Sequence, residues 1–198
     1  MSFSRRAAAP DGDLGCRRRR PSDRLRRPFW LLAVVLVCVL AQEAFAQGAS
    51  EAQIKAAYLI SFMKYIDWPG NPANLNICLY GRETLLPLLA GYEGRSIGGR
   101  PLLIHKVVSA DQLAGCQQLF IADSDSARGA EMLQQALKQP LLITGDGENF
   151  IRQGGAIALA RSDGRVVFDI NTDAIARAGL KAATPMLRLA RSLSGGQR

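Results

Sequence analysis

Hydrophobic and polar residues follow one another along the chain in segments of two kinds, one with helical spacing and one made of short apolar runs. The first helical segment extends from Glu51 to Trp68, with Ser50 as a candidate N-cap and Pro69 as its end. Two further helical segments are predicted, a short one at 83–90 that Pro87 interrupts and one at 127–138. The mature part of the chain is therefore predicted to open with an amphipathic helix.

The short apolar runs predict buried strands, which lie at residues 75–80, 101–108, 117–122 and 141–144. Because these runs are almost continuously apolar and alternate with helices, they predict a largely parallel sheet that helices cover on both faces. Two later strands, 156–160 and 166–170, are joined by the turn Ser162-Asp163-Gly164 and are predicted to form a hairpin that finishes the sheet. Helices at 173–178 and 185–192 close the chain.

These elements predict an α/β fold, a three-layer Rossmann-like sandwich with a mostly parallel sheet of about five or six strands and a C-terminal hairpin. In such sheets the first strand commonly lies between the second and the third. The strand at 75–80 is therefore expected to lie between those at 101–108 and 117–122.

The N-terminal segment has a different pattern. Nine arginines, from Arg5 to Arg27, precede an apolar run from Phe29 to Ala41, and small residues follow in Ala44-Phe45-Ala46. This is the pattern of a secretory signal peptide. Because the apolar run is shorter than the roughly 20 residues that span a bilayer, a cleaved signal at residues 1–46 is favoured over a permanent membrane anchor. The pair Arg26-Arg27 leaves open whether export follows the general or the twin-arginine route.

Removing this segment changes the composition of the protein. It contains nine of the 25 Lys and Arg and four of the 17 Asp and Glu, so the net charge falls from +8 to +3. A charge this small gives no basis for nucleic-acid binding. Residues 47–198 have the size of one domain with its own core, and we expect them to form a single exported domain.

The cysteine count changes in the same way. Cys16 and Cys38 precede the expected cleavage site, which leaves Cys78 and Cys116. An even pair in an oxidising compartment predicts a disulfide, and two buried free thiols in apolar strands are the alternative. The expected strand order supports the pairing, because it places Cys78 beside the start of the third strand.

Sequence motifs of common enzymes are absent. The chain has a single histidine, His105, in an apolar strand without partners for a triad or a metal site. It contains no Gly-x-Ser-x-Gly elbow, Walker loop, Cys-x-x-Cys or Gly-x-Gly-x-x-Gly fingerprint. The sequence therefore predicts no catalytic residue, no metal and no cofactor.

Three segments follow predicted strands at the positions where open α/β sheets bind ligands, namely Tyr80-Gly81-Arg82, Asp123-Ser124-Asp125 and Thr144-Gly145-Asp146-Gly147. The two aspartates of the second segment suit a phospho-acceptor or Mg²⁺ site, but Asp123-Ser124-Asp125-Ser126 is also typical of an ordinary helix-capping turn, and capping is the favoured interpretation. The third segment is favoured as a turn over a phosphate-binding loop.

Arginines are frequent in the last third of the chain. We take Arg161, Arg165 and Arg188 as candidate contacts to a ligand or a partner, because guanidinium groups bind carboxylates and phosphates. The aromatic residues of the first helix suit either a partner surface or packing on the sheet.

The chain resembles the YfiR family of periplasmic regulators along most of residues 47–198. The resemblance rests on segments that occur in a fixed order: Lys55 to Pro69 (KAAYLISFMKYIDWP), Ile77 to Gly81 (ICLYG), Cys116 to Ile121 (CQQLFI), Gly154 to Ile157 (GGAI), Val167 to Asn171 (VFDIN), Ala178 to Lys181 (AGLK) and Leu187 to Ala190 (LRLA). Each segment alone is weak, but together they are fairly specific.

The resemblance implies a non-enzymatic periplasmic α/β domain that binds and represses the periplasmic sensory part of an inner-membrane diguanylate cyclase, lowering cyclic di-GMP and biofilm formation. It also implies a homodimer and a disulfide between Cys78 and Cys116, whereas a second family cysteine pair is missing near residues 144–155. Residues 182–186 also depart from the family's usual tail. A periplasmic protein that binds a small anion or metabolite is the alternative function.

Overall fold

The computed structural model describes residues 51–81, 85–122 and 124–196. The expected signal peptide at 1–46, the candidate N-cap Ser50, the start of the predicted second helix at Glu83, and Asp123 lie outside these ranges. In the described part of the chain, no helix combines the length and the apolarity that crossing a membrane requires.

The described residues form five α-helices, a 3₁₀ turn and ten strands. The helices are α1 (51–65), α2 (Leu86–Ala90), α3 (Ala127–Ala136), α4 (Thr172–Arg177) and α5 (Thr184–Leu189), with the 3₁₀ turn at Ala110–Leu113. The strands are β1 (Ile66–Asp67), β2 (Leu75–Tyr80), β3 (Ser96–Ile97), β4 (Arg100–Lys106), β5 (Gln118–Ile121), β6 (Leu142–Asp146), β7 (Ile157–Ser162), β8 (Arg165–Asn171), β9 (Lys181–Ala182) and β10 (Ser192–Ser194).

Eight strands form the main sheet in the order β10-β8-β7-β6-β5-β2-β4-β3, and β1 pairs with β9 in a separate ribbon. Neighbours in the main sheet are parallel except β7 with β8 and β3 with β4. The α/β class and the mostly parallel sheet are therefore confirmed. The expected strand order is also correct, because β2 lies between β4 and β5. The count of five or six strands was too low.

Apolar side chains project from both faces of the sheet and form two separate clusters. On β2, Ile77 belongs to one cluster and Cys78 to the other, because successive side chains of a strand point to opposite faces. Helices α1, α4 and α5 contribute to the cluster of Ile77, and α3 contributes Met132 and Leu133 to the cluster of Cys78. Helices thus cover both faces, as the continuous apolar runs of the parallel strands require.

The hairpin of β7 and β8 forms as predicted. Asp163 and Gly164 both have positive φ, at 50° and 75°, and two such residues make the turn whose twist matches a two-residue hairpin. The hairpin does not finish the sheet, however. Strand β10 pairs in parallel with β8 on the outer side.

The predicted helix boundaries are wrong at both ends of the domain. Helix α1 stops at residue 65 because Ile66 pairs with Ala182 in the β1–β9 ribbon, and the indole of Trp68 donates to the carbonyl of Met63 at 3.1 Å. The last helix ends at Leu189, and the chain then enters β10.

Two boundaries inside the chain also differ from the prediction. Pro87 does not interrupt a helix but lies in the first turn of α2, where its missing N–H costs no hydrogen bond. Strand β6 continues through Gly145 to Asp146, which the sequence placed in a turn.

Candidate functional site

Cys78 and Cys116 lie at disulfide distance, with their Cα atoms 5.9 Å apart. Cys78 is in the middle of β2, and Cys116 precedes β5, which pairs with β2. The Nδ2 of Asn76 donates to the carbonyl of Gly115 at 2.6 Å, and the backbone N–H of Asn76 donates to Oε1 of Gln117 at 2.7 Å. The sheet therefore holds the two cysteines together independently of the bond.

The three candidate arginines do not converge on one site. Nη1 of Arg161 lies 3.6 Å from Oε2 of Glu51, on the face of the sheet that α1 covers. Arg165 pairs with Ser162 next to the hairpin turn, and Arg188 is exposed in the last turn of α5. The described contacts of these side chains do not form a single anion site.

A different arginine makes the strongest ion pair of the C-terminal segment. The Nε of Arg191 donates to Oδ1 of Asp169 at 3.0 Å, and its Nη2 donates to Oδ2. The hydroxyl of Ser192 also donates to Oδ1, at 2.7 Å. Asp169 is only 6% exposed. This contact joins β10 to the buried strand β8.

Burial by itself would raise the pKa of Asp169, but the hydrogen bonds from Arg191 and Ser192 outweigh burial and hold the pKa below its ordinary value. The sequence carries a signal for this contact. A charged residue inside the apolar run of β8 requires a partner, because a buried unpaired carboxylate is strongly unfavourable.

Lys55 connects α1 to the carboxyl end of β6. Its Nζ lies 2.9 Å from Oε1 of Glu51 and 3.1 Å from Oδ2 of Asp146. Burial would lower the pKa of Lys55, but the hydrogen bond with Glu51 and the charge of Asp146 outweigh it, and the pKa lies above its ordinary value. The ion pair between Lys55 and Asp146 fixes the N-terminal part of α1 at the carboxyl ends of the strands, where ligands bind in related folds.

The segment that follows β5 has the expected capping role, which Ser126 performs. The hydroxyl of Ser126 accepts from the N–H of Gly129 at 3.0 Å and caps α3, and the hydroxyl of Ser124 donates to the carbonyl of Asp146. Within residues 51–81, 85–122 and 124–196, no group of three His, Cys, Asp or Glu side chains lies close enough together to hold a metal ion.

A cleft of about 670 Å³ opens at the carboxyl ends of β2 and β4. Its described lining consists of Tyr80, Gly81, Lys106, Val107, Val108, Ser126, Ala127 and Arg128. This is the point where the chain crosses to opposite sides of β2, which is the usual ligand position in open parallel sheets. The volume suits a small molecule.

The aromatic residues of α1 mainly pack on the sheet. The ring of Phe168 lies edge-on to the rings of Tyr58 and Phe62, with both centroid distances 5.2 Å. Tyr65 is an exception, because it is 38% exposed. Packing therefore explains most of the pattern that sequence alone left undecided.

Phe150 is a further residue that the sequence did not single out. It is fully buried, and its ring lies against Gly145 and Gly155. A Cβ added at Gly145 would lie 2.6 Å from Cε2 of Phe150. The two glycines thus form a slot for the ring, which fixes the loop between β6 and β7.

The fold and the cysteine pair define a disulfide-containing α/β domain with a mostly parallel sheet. The chain belongs to the YfiR/HmsC-like family, whose model matches residues 52–191. This confirms the resemblance seen in the sequence. Proteins of this family are periplasmic regulators of diguanylate cyclase signalling rather than enzymes.

The chain is also similar to solved structures. One is the ABC domain in complex with L-Trp from Streptococcus pneumonia, at 10% identity and a TM-score of 0.51, and another is a conserved domain protein from Vibrio cholerae O1 biovar eltor, at 12% identity and a TM-score of 0.49. Each match covers 72% of this chain and 60% of the other. The chain thus spans only part of the length of these proteins, and the first likeness concerns the fold alone.

Proposed function

We propose that the protein is a periplasmic, non-enzymatic regulator that binds the periplasmic sensory part of an inner-membrane diguanylate cyclase and represses it. The family match over residues 52–191 carries this proposal. The arrangement of Cys78 and Cys116 supports it, since disulfides persist in oxidising compartments such as the periplasm. Repression lowers cyclic di-GMP and with it biofilm formation.

Export by a cleaved signal peptide at residues 1–46 is part of this proposal. Edman sequencing of the protein from the periplasmic fraction is expected to begin at Gln47. Replacing Arg26-Arg27 by two lysines separates the two routes, because twin-arginine export requires the arginine pair and general secretion requires only positive charge. Full-length protein in the membrane fraction would contradict cleavage.

The regulator acts by shifting a conformational equilibrium. A bound repressor that prefers the inactive arrangement of the cyclase's periplasmic domains increases the population of that arrangement. Loss of the repressor, or its unfolding, returns the population to the active form. Because the disulfide stabilises the fold, reduction weakens repression under this mechanism.

Among the three candidate arginines, Arg188 is the best placed for a partner. It is exposed, and its neighbour Leu189 is 70% exposed, which is high for a large apolar side chain. Arg165 is also exposed, at the hairpin turn, whereas Arg161 already lies near Glu51. We therefore assign the cyclase contact to the α5 surface, defined as Arg188 and Leu189.

We further propose that the protein acts as a homodimer, as the family resemblance implies. Sedimentation velocity of the purified protein at micromolar concentration is expected to give a species of twice the chain mass. A single species of one chain mass would contradict the dimer without affecting the proposed repression.

Binding of a small anion or metabolite is the second candidate function. The cleft between Tyr80 and Arg128 supports it, because it has the volume and position of a ligand site in this fold. Gene neighbourhood distinguishes the two functions. An adjacent cyclase with a periplasmic region supports the regulator, and an adjacent transporter supports the binding protein.

Direct binding tests the lead proposal. The protein purified from periplasm is passed over the immobilised periplasmic region of a cyclase encoded beside it. Specific retention, which added soluble periplasmic region abolishes, is expected. The absence of retention at micromolar concentrations would contradict the proposed partner.

A further inference from the structure

We propose that Asp163 is a site of spontaneous isoaspartate formation, at which the backbone nitrogen of Gly164 attacks the side-chain carboxyl group. The described residues contain two Asp-Gly pairs, Asp163-Gly164 and Asp146-Gly147. Their surroundings differ, and they favour reaction at the first pair. The inference concerns the chemistry of the hairpin turn, and it stands whether or not the protein binds a cyclase.

The turn of the β7–β8 hairpin leaves both reacting groups accessible. Asp163 and Gly164 are exposed. The carboxylate of Asp163 accepts a hydrogen bond at 3.3 Å from the hydroxyl of its neighbour Ser162. Within residues 51–81, 85–122 and 124–196, the backbone N–H of Gly164 makes no hydrogen bond. No hydrogen bond therefore holds this nitrogen away from the carboxyl group.

The peptide unit between Asp163 and Gly164 can rotate without opening the hairpin. The two turns that close a two-residue hairpin, types I′ and II′, both place the first residue at positive φ and differ in the orientation of the central peptide unit. Asp163 already has a φ of 50°, and Gly164 accepts either sign of φ because it lacks a Cβ. This rotation brings the nitrogen of Gly164 towards Cγ of Asp163.

The second pair, Asp146-Gly147, is held on both sides. The N–H of Gly147 donates to the carbonyl of Leu159 at 3.0 Å, and Nζ of Lys55 lies 3.1 Å from Oδ2 of Asp146. Asp146 also pairs with Leu159 in the ladder between β6 and β7. Because attack by the nitrogen of Gly147 must first break these contacts, the fold protects Asp146.

The reaction is balanced and needs only water. The nitrogen of Gly164 bonds to Cγ of Asp163, and one carboxyl oxygen leaves as water with the carboxyl proton and the amide proton. The product is a succinimide ring. Water then adds to either ring carbonyl and opens the ring to aspartate or to isoaspartate. Each opening therefore places one solvent oxygen in the product.

Isoaspartate lengthens the main chain of the turn by one methylene group, and the register of a hairpin depends on the length of its loop. Both strands of the hairpin contact α1. The hydroxyl of Tyr58 donates to the carbonyl of Val166 at 3.3 Å, and Nη1 of Arg161 lies 3.6 Å from Oε2 of Glu51. The modification is therefore expected to loosen α1 on the sheet and to lower the melting temperature.

Incubation of the purified protein in heavy-oxygen water at neutral pH tests the assignment. Mass spectrometry of chymotryptic peptides, with fragmentation that identifies isoaspartate, locates the label. In the folded protein Asp163 is expected to carry about ten times as much label as Asp146, because an exposed turn opens more easily than a paired strand end. In urea the two sites are expected to react alike. A ratio in the folded protein that is no greater than the ratio in urea would overturn the proposal.

Asp163→Glu is the matched variant, because it keeps the charge while its longer side chain forms the corresponding ring much more slowly. It is expected to lose the label at this position and to keep the label at Asp146. Circular dichroism shows whether the variant is folded, and if it is not, the wild-type ratio decides. After long incubation, the melting curve of wild type is expected to shift to lower temperature, whereas that of the variant stays unchanged. An unshifted wild-type curve despite modification of Asp163 would refute the effect on α1.

Discussion

The guanidinium group of Arg191 binds the buried carboxylate of Asp169 through two hydrogen bonds and thereby fastens the C-terminal strand to the sheet. Asp169 lies on β8, and Arg191 directly precedes β10. Further contacts act in the same place, since the hydroxyl of Thr172 donates to the carbonyl of Ser194 at 3.1 Å. The position of the tail therefore depends on a tertiary ion pair, and so does the α5 surface that precedes it.

Replacing Arg191 by Ala is expected to destabilise the protein by about 2 kcal/mol, because it leaves the carboxylate of Asp169 buried without its main partner. This loss of stability is set below that of a fully buried pair, because solvent screens the charge of Arg191, whose side chain is 34% exposed. Urea denaturation measures the loss. Arg177→Ala, at an exposed position on α4, is the matched control and is expected to change stability little. Equal stability of the Arg191 variant and wild type would contradict the assigned role.

The same pair predicts a pH dependence. The pKa of Asp169 is lower in the folded protein than in the unfolded chain. The ionised carboxylate therefore contributes fully to the free energy of unfolding above the ordinary carboxyl pKa of about 3.9, and this contribution is lost as the pH falls through the pKa of the folded state. The stability difference between wild type and Asp169→Asn is therefore expected to be constant from pH 5 to 7 and to shrink below about pH 4. Denaturation at several pH values measures it. A stability difference between the two proteins that grows on acidification would contradict the lowered pKa of Asp169.

Removing the disulfide is expected to destabilise the protein by about 4 kcal/mol in the chain-entropy account. The cysteines are 38 positions apart in sequence, so the bond closes a long loop. The double variant Cys78→Ser, Cys116→Ser is compared with wild type by thermal melting, with and without reductant. Wild type in reductant is expected to match the variant, and an unchanged melting temperature in both would refute the stabilising role.

Replacing Phe150 by Ala is expected to cost about 3–5 kcal/mol, because it empties the slot between Gly145 and Gly155. Ile151, the next residue, is only partly buried, and Ile151→Ala is the control with a smaller expected loss. Urea denaturation of both variants tests this. Similar losses in the two would mean that the slot has no special role.

Replacing Arg188 by Ala is expected to weaken binding of the cyclase's periplasmic region about tenfold while leaving the melting temperature unchanged, since an exposed Arg at a partner surface contributes to affinity and not to the fold. Arg177→Ala serves again as the control. Unchanged affinity in Arg188→Ala would remove this residue from the proposed α5 surface, and the contact would then lie elsewhere on the domain.

The sequence predicted the central part of the fold because long apolar runs define buried parallel strands. Strand β2 was predicted with its observed bounds, Leu75–Tyr80, and its position beside β5 brought Cys78 next to Cys116. Crossover handedness restricts the order of such strands to a few possibilities. The cysteine pair could therefore be placed from sequence.

The short strands could not be predicted in this way. Strands β1 and β9 have two residues each, and β10 has three, which is too few for a periodic signal. They form because distant segments meet, as Ile66 does with Ala182. The same holds for Phe150, whose slot exists only when the loop has folded over Gly145.

The central claim is that the protein lowers cyclic di-GMP by repressing a cyclase from the periplasm. The most direct measurement is the cellular cyclic di-GMP level after deletion of the gene, with complementation by the wild-type gene and by a version that lacks residues 1–46. Deletion is expected to raise cyclic di-GMP, and only the wild-type gene is expected to restore the original level. An unchanged level after deletion would contradict the claim.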